Sequence, residues 1–395
     1  MTGSASPSVR DVARLFAGGR LALARQLAGL RKVELATRIG KTPTAVAGYE
    51  SGRTRPAAAT VAKLCIALSV EPSFFLPSSG RMLAANIVPH FRSLRSTTQL
   101  ARDQAEAYGR VVHDLVTVFE NHFDLPSRDL TAHPVTMEHG SGSTEPAEAA
   151  QELRSHWGVE KGPVGHLLRT AELHGLIVVF SPVQTASVDA YSFETCSNPI
   201  IILNPIKGDY YRQRFDLAHE IGHLVMHADA EPGNRVIEDQ AHRFASEFLM
   251  PAGEIEQQLP RRINWPLLQE LKEYWGVSLQ ALLYRARELQ TISDVTYRNA
   301  MVRISKEGWR RQEPGARPAV EQPSVLPHAL SLLKSAGIDK SVLATEARVP
   351  ANLFNTVASR VPQTIDQLQP ETAHEVGVSG DGGQQVISLF ESKSE

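Results

Sequence analysis

"FDLAHEIGHLVMH" (residues 215–227) sets three histidines, His219, His223 and His227, four residues apart in a mostly apolar run. On a helix, residues four apart share one face and lie about 6 Å apart, so the imidazoles of His219 and His223 can meet on one zinc ion. Glu220, next to the first of them, then reaches a water on the same ion, which is the H-E-x-x-H pattern with the glutamate as general base. His227 is different. A helix rises ~1.5 Å per residue, so His219 and His227 stand about 12 Å apart and cannot both lie about 2 Å from one ion. His227 therefore reads as a flanking polar residue. Two ligands do not make a site, and the competing reading is a structural helix that happens to carry polar residues.

The surroundings favour the metal. Short strand-like runs precede the stretch: "LIVVF" (176–180), "AYSF" (190–193) and "PIIILN" (199–204). After it, "VIEDQAHRFASEFLMP" (236–251) has a helical apolar face of Ala241, Phe244, Ala245 and Phe248, with Glu238 in its first turn. Helices near 238–250 and 266–289 complete an α+β block that ends around Gln312. "EPGARPAVEQP" (313–323) has linker composition, and "GIDKSVLATEARVPANLFNTV" (337–357) is a helical pattern that weakly echoes residues 33–46.

At 395 residues the chain holds two or three domains. Two cysteines, Cys65 and Cys196, are too few for a disulfide framework or a cysteine zinc site, so the expectation is a cytoplasmic protein. No stretch has the ~18 apolar residues of a membrane span, and no signal peptide is expected. The net charge of −2 conceals an asymmetry. The first 75 residues carry 11 Lys and Arg against 4 Asp and Glu, a charge of +7, while the remainder carries 30 against 39. A basic head on an acidic body points to a polyanion. Between them, "TTQLARDQAEAYGRVVHDLVTVFENHF" (97–123) reads as a spacer or a dimer-forming helix, so a homodimer is one expectation. Residues 125–146, rich in Pro, Ser, Gly, Thr and His, read as a linker.

Within the head, "GLRKVELATRIGKTPTAVAGYESGRTRPAAATVAKLCIAL" (29–68) has an apolar face of Leu35, Ala36 and Ile39, a stop at Gly40 and a good helix cap at Thr42. That is helix-turn-helix spacing. From Arg20 to about Phe75 the stretch resembles the lambda-repressor-like (XRE) DNA-binding domain, through "ELA…G…V…ESGRTRP" and the trailing "LCIALSVEPSFF". The resemblance implies double-stranded operator DNA as the partner, with a recognition helix at 42–50 entering the major groove by its N-terminus. Pro43, Thr44 and Gly48 would then face the bases, with Thr42 among the DNA-binding residues at the start of that helix, and Arg31, Lys32, Lys41, Arg53 and Arg55 on the phosphates. Pro43 and Gly48 have no hydrogen-bonding side chain, and Lys32 stands where the family often has glutamine.

"RQRFDLAHEIGHLVMH" and "EDQAHRFASEFLMP" together resemble the ImmA/IrrE family of gluzincin-like zinc peptidases, from roughly residue 145 to 312. The resemblance implies Zn2+ held by His219, His223 and Glu238, a water in the fourth position and Glu220 as catalytic base, with a protein or peptide as substrate. Asp239 and Glu247 are rival carboxylates. His242, four residues after Glu238, stands where the family usually has Asn or Asp behind a ligand. Tyr191, Tyr210, Tyr211 and His227 are candidates for the oxyanion helper.

The expected fold class is multidomain: an all-α helix-turn-helix head, an α+β zincin-like (gluzincin) metallopeptidase domain and a small helical C-terminal region. The expected boundaries are a disordered tail over 1–12, the head over 13–76, a helical spacer and linker over 77–146, the peptidase domain over 147–312, and a linker with helical C-terminal region over 313–395. Three functions are open: a DNA-binding regulator whose zinc domain cleaves a repressor or partner, a regulator whose zinc domain is a catalytically weak sensor or dimerisation module, and a stand-alone peptidase whose head only docks to protein and would show no salt-dependent affinity for DNA.

Overall fold

The computed structural model describes residues 7–77, 98–135, 144–182, 190–206, 208–227 and 234–361. The head comprises α1 (Val9–Leu15), α2 (Gly18–Leu27), α3 (Lys32–Ile39), α4 (Pro43–Glu50) and α5 (Ala58–Leu68), followed by a 3-10 turn at Pro72–Phe75. Gly40 ends α3 with a left-handed φ of 67°, and the Thr42 hydroxyl accepts the Ala45 amide at 3.2 Å to start α4. Pro43 at the first turn needs no donor there. One expectation is corrected here. The tail read as disordered to residue 12 contains the start of α1, which Ser8 caps and whose Val12 is fully buried.

The helix α6 (Gln99–His122) leads into α7 (Glu145–His156) and α8 (Leu167–Leu173). A three-stranded sheet follows, β1 (Ile177–Phe180), β2 (Ala190–Phe193) and β3 (Ile200–Leu203), in the order β1-β3-β2. β3 pairs parallel with β1 and antiparallel with β2, so that Tyr191 opposes Ile202 and Ser192 opposes Ile201. Next come α9 (Tyr210–Met226), α10 (Arg235–Leu249), α11 (Ala252–Ile255), α12 (Trp265–Trp275), α13 (Leu279–Glu288) and α14 (Asp294–Lys306). The described chain closes with α15 (Val325–Ser335), α16 (Lys340–Ala347) and α17 (Ala351–Val357).

The sheet divides two hydrophobic cores. Its strands are buried throughout and apolar except at Ser192 of β2 because both faces are covered, and alternation along each strand sends neighbours to opposite sides. Ile177, Val179, Tyr191, Phe193, Ile200 and Ile202 join a core shared with the head, α6 and α15–α17. Val178, Phe180, Ala190, Ile201 and Leu203 join the core of the α+β block.

Two of the three stretches read as connectors, 97–123 and 313–323, are built in. α6 presents Asp114 to Arg20 of the head at 2.8 Å, and on its other flank the Tyr108 and Tyr191 hydroxyls bond Phe180 O and Ala105 O. Burial pushes the Asp114 carboxyl up and the Arg20 guanidinium down, outweighing the attraction between them. The segment 313–323 is likewise a strap. Glu313 accepts the Leu279 amide at 2.8 Å beside Lys272, and Glu321 accepts the Leu168 amide at 2.6 Å and pairs with the buried Arg214 at 2.7 Å. Composition marked 313–323 as polar and turn-rich; it could not show that its carboxylates cap helices elsewhere.

Candidate metal centre and nucleic-acid face

Two helices assemble the centre. Asp209 caps α9 by accepting the Arg212 amide at 3.0 Å, and Asn234 caps α10 through the Val236 amide at 3.0 Å. α9 and α10 approach closely because residue 222, inside the H-E-x-x-H run, is glycine: a Cβ there would lie 2.9 Å from the Phe244 ring. This contact brings Glu238 over the histidine face. His219 Nε2 lies 3.1 Å from His223 Nε2, and Glu238 carboxylate oxygens lie 3.3 Å from the first and 3.5 Å from the second. His219 and His223 are 1% and 0% exposed, and the Glu238 side chain is 17% exposed while its carboxylate oxygens are buried against the histidines.

The spacing fits a metal. A tetrahedral zinc with bonds of about 2.0–2.1 Å has ligand–ligand edges of about 3.3–3.4 Å, and the three separations straddle that value. Among the described residues, His219, His223 and Glu238 form the convergent His/Cys/Asp/Glu group, all donors within 4.8 Å of one another. Two imidazoles and one carboxylate are a donor set that suits the borderline-soft Zn2+, and three ligands leave one position of a tetrahedron open.

Glu220 faces the sheet, where the buried Ser192 of β2 donates its hydroxyl to Glu220 Oε2 at 2.8 Å. The rival carboxylates are engaged elsewhere. Asp239 is exposed and 3.8 Å from Arg235, and Glu247 accepts from Arg285, from Gln151 Nε2 at 2.8 Å and from the Ala252 amide at 3.2 Å. Of the tyrosines, Tyr191 reaches away from the centre to Ala105 O across the sheet, and burial lifts its hydroxyl well above the ordinary range. Tyr211 donates to Ala316 O at 3.1 Å, and Tyr210 stacks edge-on against Tyr211. His242 lies between the rings of Phe215 and Tyr284.

His227 is not a mere flank. It is 2% exposed, its Nδ1 is 3.2 Å from His223 Nδ1, and its Nε2 is 2.9 Å from Gln240 Oε1. Ser192 of β2 and Gln240 of α10 carry no motif of their own, because each meets α9 only through tertiary packing. Their one advance signal is position: Gln240 follows Glu238 by two residues, and Ser192 sits inside a strand-like run.

The head presents a contrasting surface. Arg31, Lys32, Lys41, Thr42, Pro43, Thr44, Arg53 and Arg55 are all exposed: Lys41 to Thr44 lead into the N-terminal end of α4, Arg31 and Lys32 stand at the start of α3, and Arg53 and Arg55 follow the C-terminal end of α4. Lys32 stands 3.4 Å from Glu50, Arg53 Nε donates to Ser51 Oγ at 3.0 Å, and Arg55 donates to Arg14 O at 2.9 Å. Glu50 is itself clamped by Arg25 at 2.5 Å, which fixes the end of α4 against α2. Gly48 departs from expectation. It is buried, and a Cβ there would lie 2.7 Å from Thr54 Oγ1, so it lets the turn after α4 fold back instead of facing a base.

Residues 171–287 match the family model of the IrrE N-terminal-like domain, and residues 21–75 match that of a helix-turn-helix domain. No curated protein matches the chain. No described helix is long and apolar enough to cross a membrane.

Proposed function

Because the chain joins an XRE-type helix-turn-helix domain to an IrrE-like, peptidase-family domain, we propose that it is a DNA-binding transcriptional regulator whose second domain is a gluzincin-type, zinc-dependent peptidase acting on a partner protein, a repressor being the first substrate to test. The observation that carries the peptidase half is the convergence of His219, His223 and Glu238 from two helices at tetrahedral edge distances, with Glu220 beside them.

Zn2+ bound there supplies a Lewis acid that polarises a scissile carbonyl and lowers the pKa of a water. The chain's residues do the remainder. His219 and His223 present their Nε2 atoms, and Glu238 adds the carboxylate that lowers the net charge of the centre. Glu220 takes the proton of the attacking water, its carboxylate aimed by the Ser192 hydroxyl. Burial of the two histidines and Glu220 excludes bulk water and strengthens these electrostatic contacts.

On the DNA side, the N-terminal end of α4 enters the major groove with Thr42, Pro43 and Thr44 nearest the bases, and Arg31, Lys32, Lys41, Arg53 and Arg55 on phosphates. With little hydrogen-bonding capacity among the base-facing residues, phosphate contact dominates affinity. The test is cleavage of candidate repressors by the zinc-loaded chain and by Glu220→Gln. Cleavage by the first and not the second is expected, with zinc content equal in both. Equal cleavage by the two would remove Glu220 from its role, and absence of cleavage across repressors that bind the same operator would leave the regulator without its peptidase.

A further inference from the structure

The H-E-x-x-H reading explains two of the three histidines in the opening stretch and leaves His227 without a task. From the geometry around it, we infer that His227 and Gln240 form a relay that fixes which nitrogen of His223 carries the proton, and so which one is available to a metal. The inference rests on the zinc reading of His219, His223 and Glu238.

His227 stands four residues after His223, at the C-terminal cap of α9, and its Nδ1 faces His223 Nδ1 at 3.2 Å. Its other nitrogen faces Gln240 Oε1 at 2.9 Å, from the neighbouring helix α10. All three residues are buried, at 0% exposure for His223, 2% for His227 and 4% for Gln240. The proton pattern follows from what each atom can do. With Gln240 presenting its amide oxygen, which only accepts, His227 holds its proton on Nε2. A neutral His227 then has a bare Nδ1, which can only accept, so the proton between the two rings belongs to His223 Nδ1. That leaves His223 Nε2 with its lone pair directed at His219 Nε2 and Glu238.

The arrangement differs from the usual one, in which a carboxylate or backbone carbonyl stands behind a metal-binding histidine. Here the partner is a second, neutral histidine, so His223 is oriented without an additional negative charge behind it. His227 and Gln240 are positioning residues, since neither meets the metal.

The test measures zinc affinity of the full chain by chelator competition, together with imidazole 15N shifts of the metal-free chain. His227→Leu and Gln240→Leu should each weaken zinc binding ~10–100-fold, the range for partners that stand behind a ligand. Gln240→Glu keeps an acceptor in place and should stay within a few-fold of wild type. In the metal-free protein, His223 should be the Nδ1–H tautomer and should lose that preference in His227→Leu. A purely structural His227 would change the melting temperature of the metal-free chain while leaving the zinc affinity and the tautomer of His223 unmoved, and that result overturns the relay. Should His227→Leu not fold, the Gln240→Leu and Gln240→Glu pair decides it. If wild type binds no zinc, the metal reading falls by itself, and the 15N tautomer of His223 alone upholds or overturns the relay.

Discussion

The candidate metal centre and the candidate DNA face are built by opposite physics. At the centre, buried side chains from α9, α10 and β2 converge within hydrogen-bond distance, each position fixed by a neighbour: Gly222 by Phe244, Glu220 by Ser192, His223 by His227. On the head, the candidate phosphate-contacting cations are exposed and loosely tethered, with the tight pair of Arg25 and Glu50 beneath them. A buried constellation responds steeply to single changes because its groups have no water to fall back on. A solvated cation face responds by increments, roughly one phosphate contact at a time.

That comparison can be broken first at the seam between the regions. Asp114→Ala strands the buried Arg20 against Phe74 O and Arg348 O, and is expected to lower stability by about 3 kcal/mol, as removal of one partner of a buried pair does. Chemical denaturation of the full chain measures this; a loss under 1 kcal/mol would mean that α6 and the head are not one cooperative unit. Next is Gly222→Ala, whose new Cβ meets the Phe244 ring. It should cost about 1–3 kcal/mol by overpacking and weaken zinc binding by separating Glu238 from the histidines. Gly253→Ala, with open space around it, is the control. If the two variants melt alike, close approach of α9 and α10 is not what the glycine provides.

On the DNA face, replacing Lys32 and Arg53 together should weaken binding to all sequences and reduce the slope of log affinity against log salt by about 2, with a stability change of about 1 kcal/mol at most. A change in sequence preference at constant salt slope would assign these residues to bases instead. The smallest effect concerns Asp129, which hydrogen bonds with His174 and His156 hold below the ordinary carboxyl value of 3.8. A depressed pKa contributes stability that is complete above the ordinary value and lost as the pH falls through the lower, folded one. Asp129→Asn should therefore flatten the acid limb of the stability curve, by about 1 kcal/mol or less for so exposed a group. An unchanged limb would show that these histidine contacts carry no net energy.

What was legible follows the same division. His219, Glu220 and His223 can be read because a helix alone fixes their relation, and the strands because apolar runs of this length have few other forms. Thr42 and Gly40 declare their turn through local chemistry. Glu238 emerged through family resemblance, since nothing in its own neighbourhood ranks it above Asp239. The task of α6 was hidden because its partners, Arg20 and Tyr191, are far away in sequence and its own charges suggested solvent. The helix distance that keeps His227 off the metal says nothing about what stands behind a ligand. Gly48 misled in the converse way: position in the motif suggested a base, and only the packing of Thr54 shows why the side chain is absent.

The most direct test of the account is the zinc content of the purified chain by native mass spectrometry, for wild type and for Glu238→Ala beside Asp239→Ala. One zinc per chain in wild type and in Asp239→Ala, with loss in Glu238→Ala, is the predicted result. Full occupancy in Glu238→Ala, or none in wild type, would contradict it.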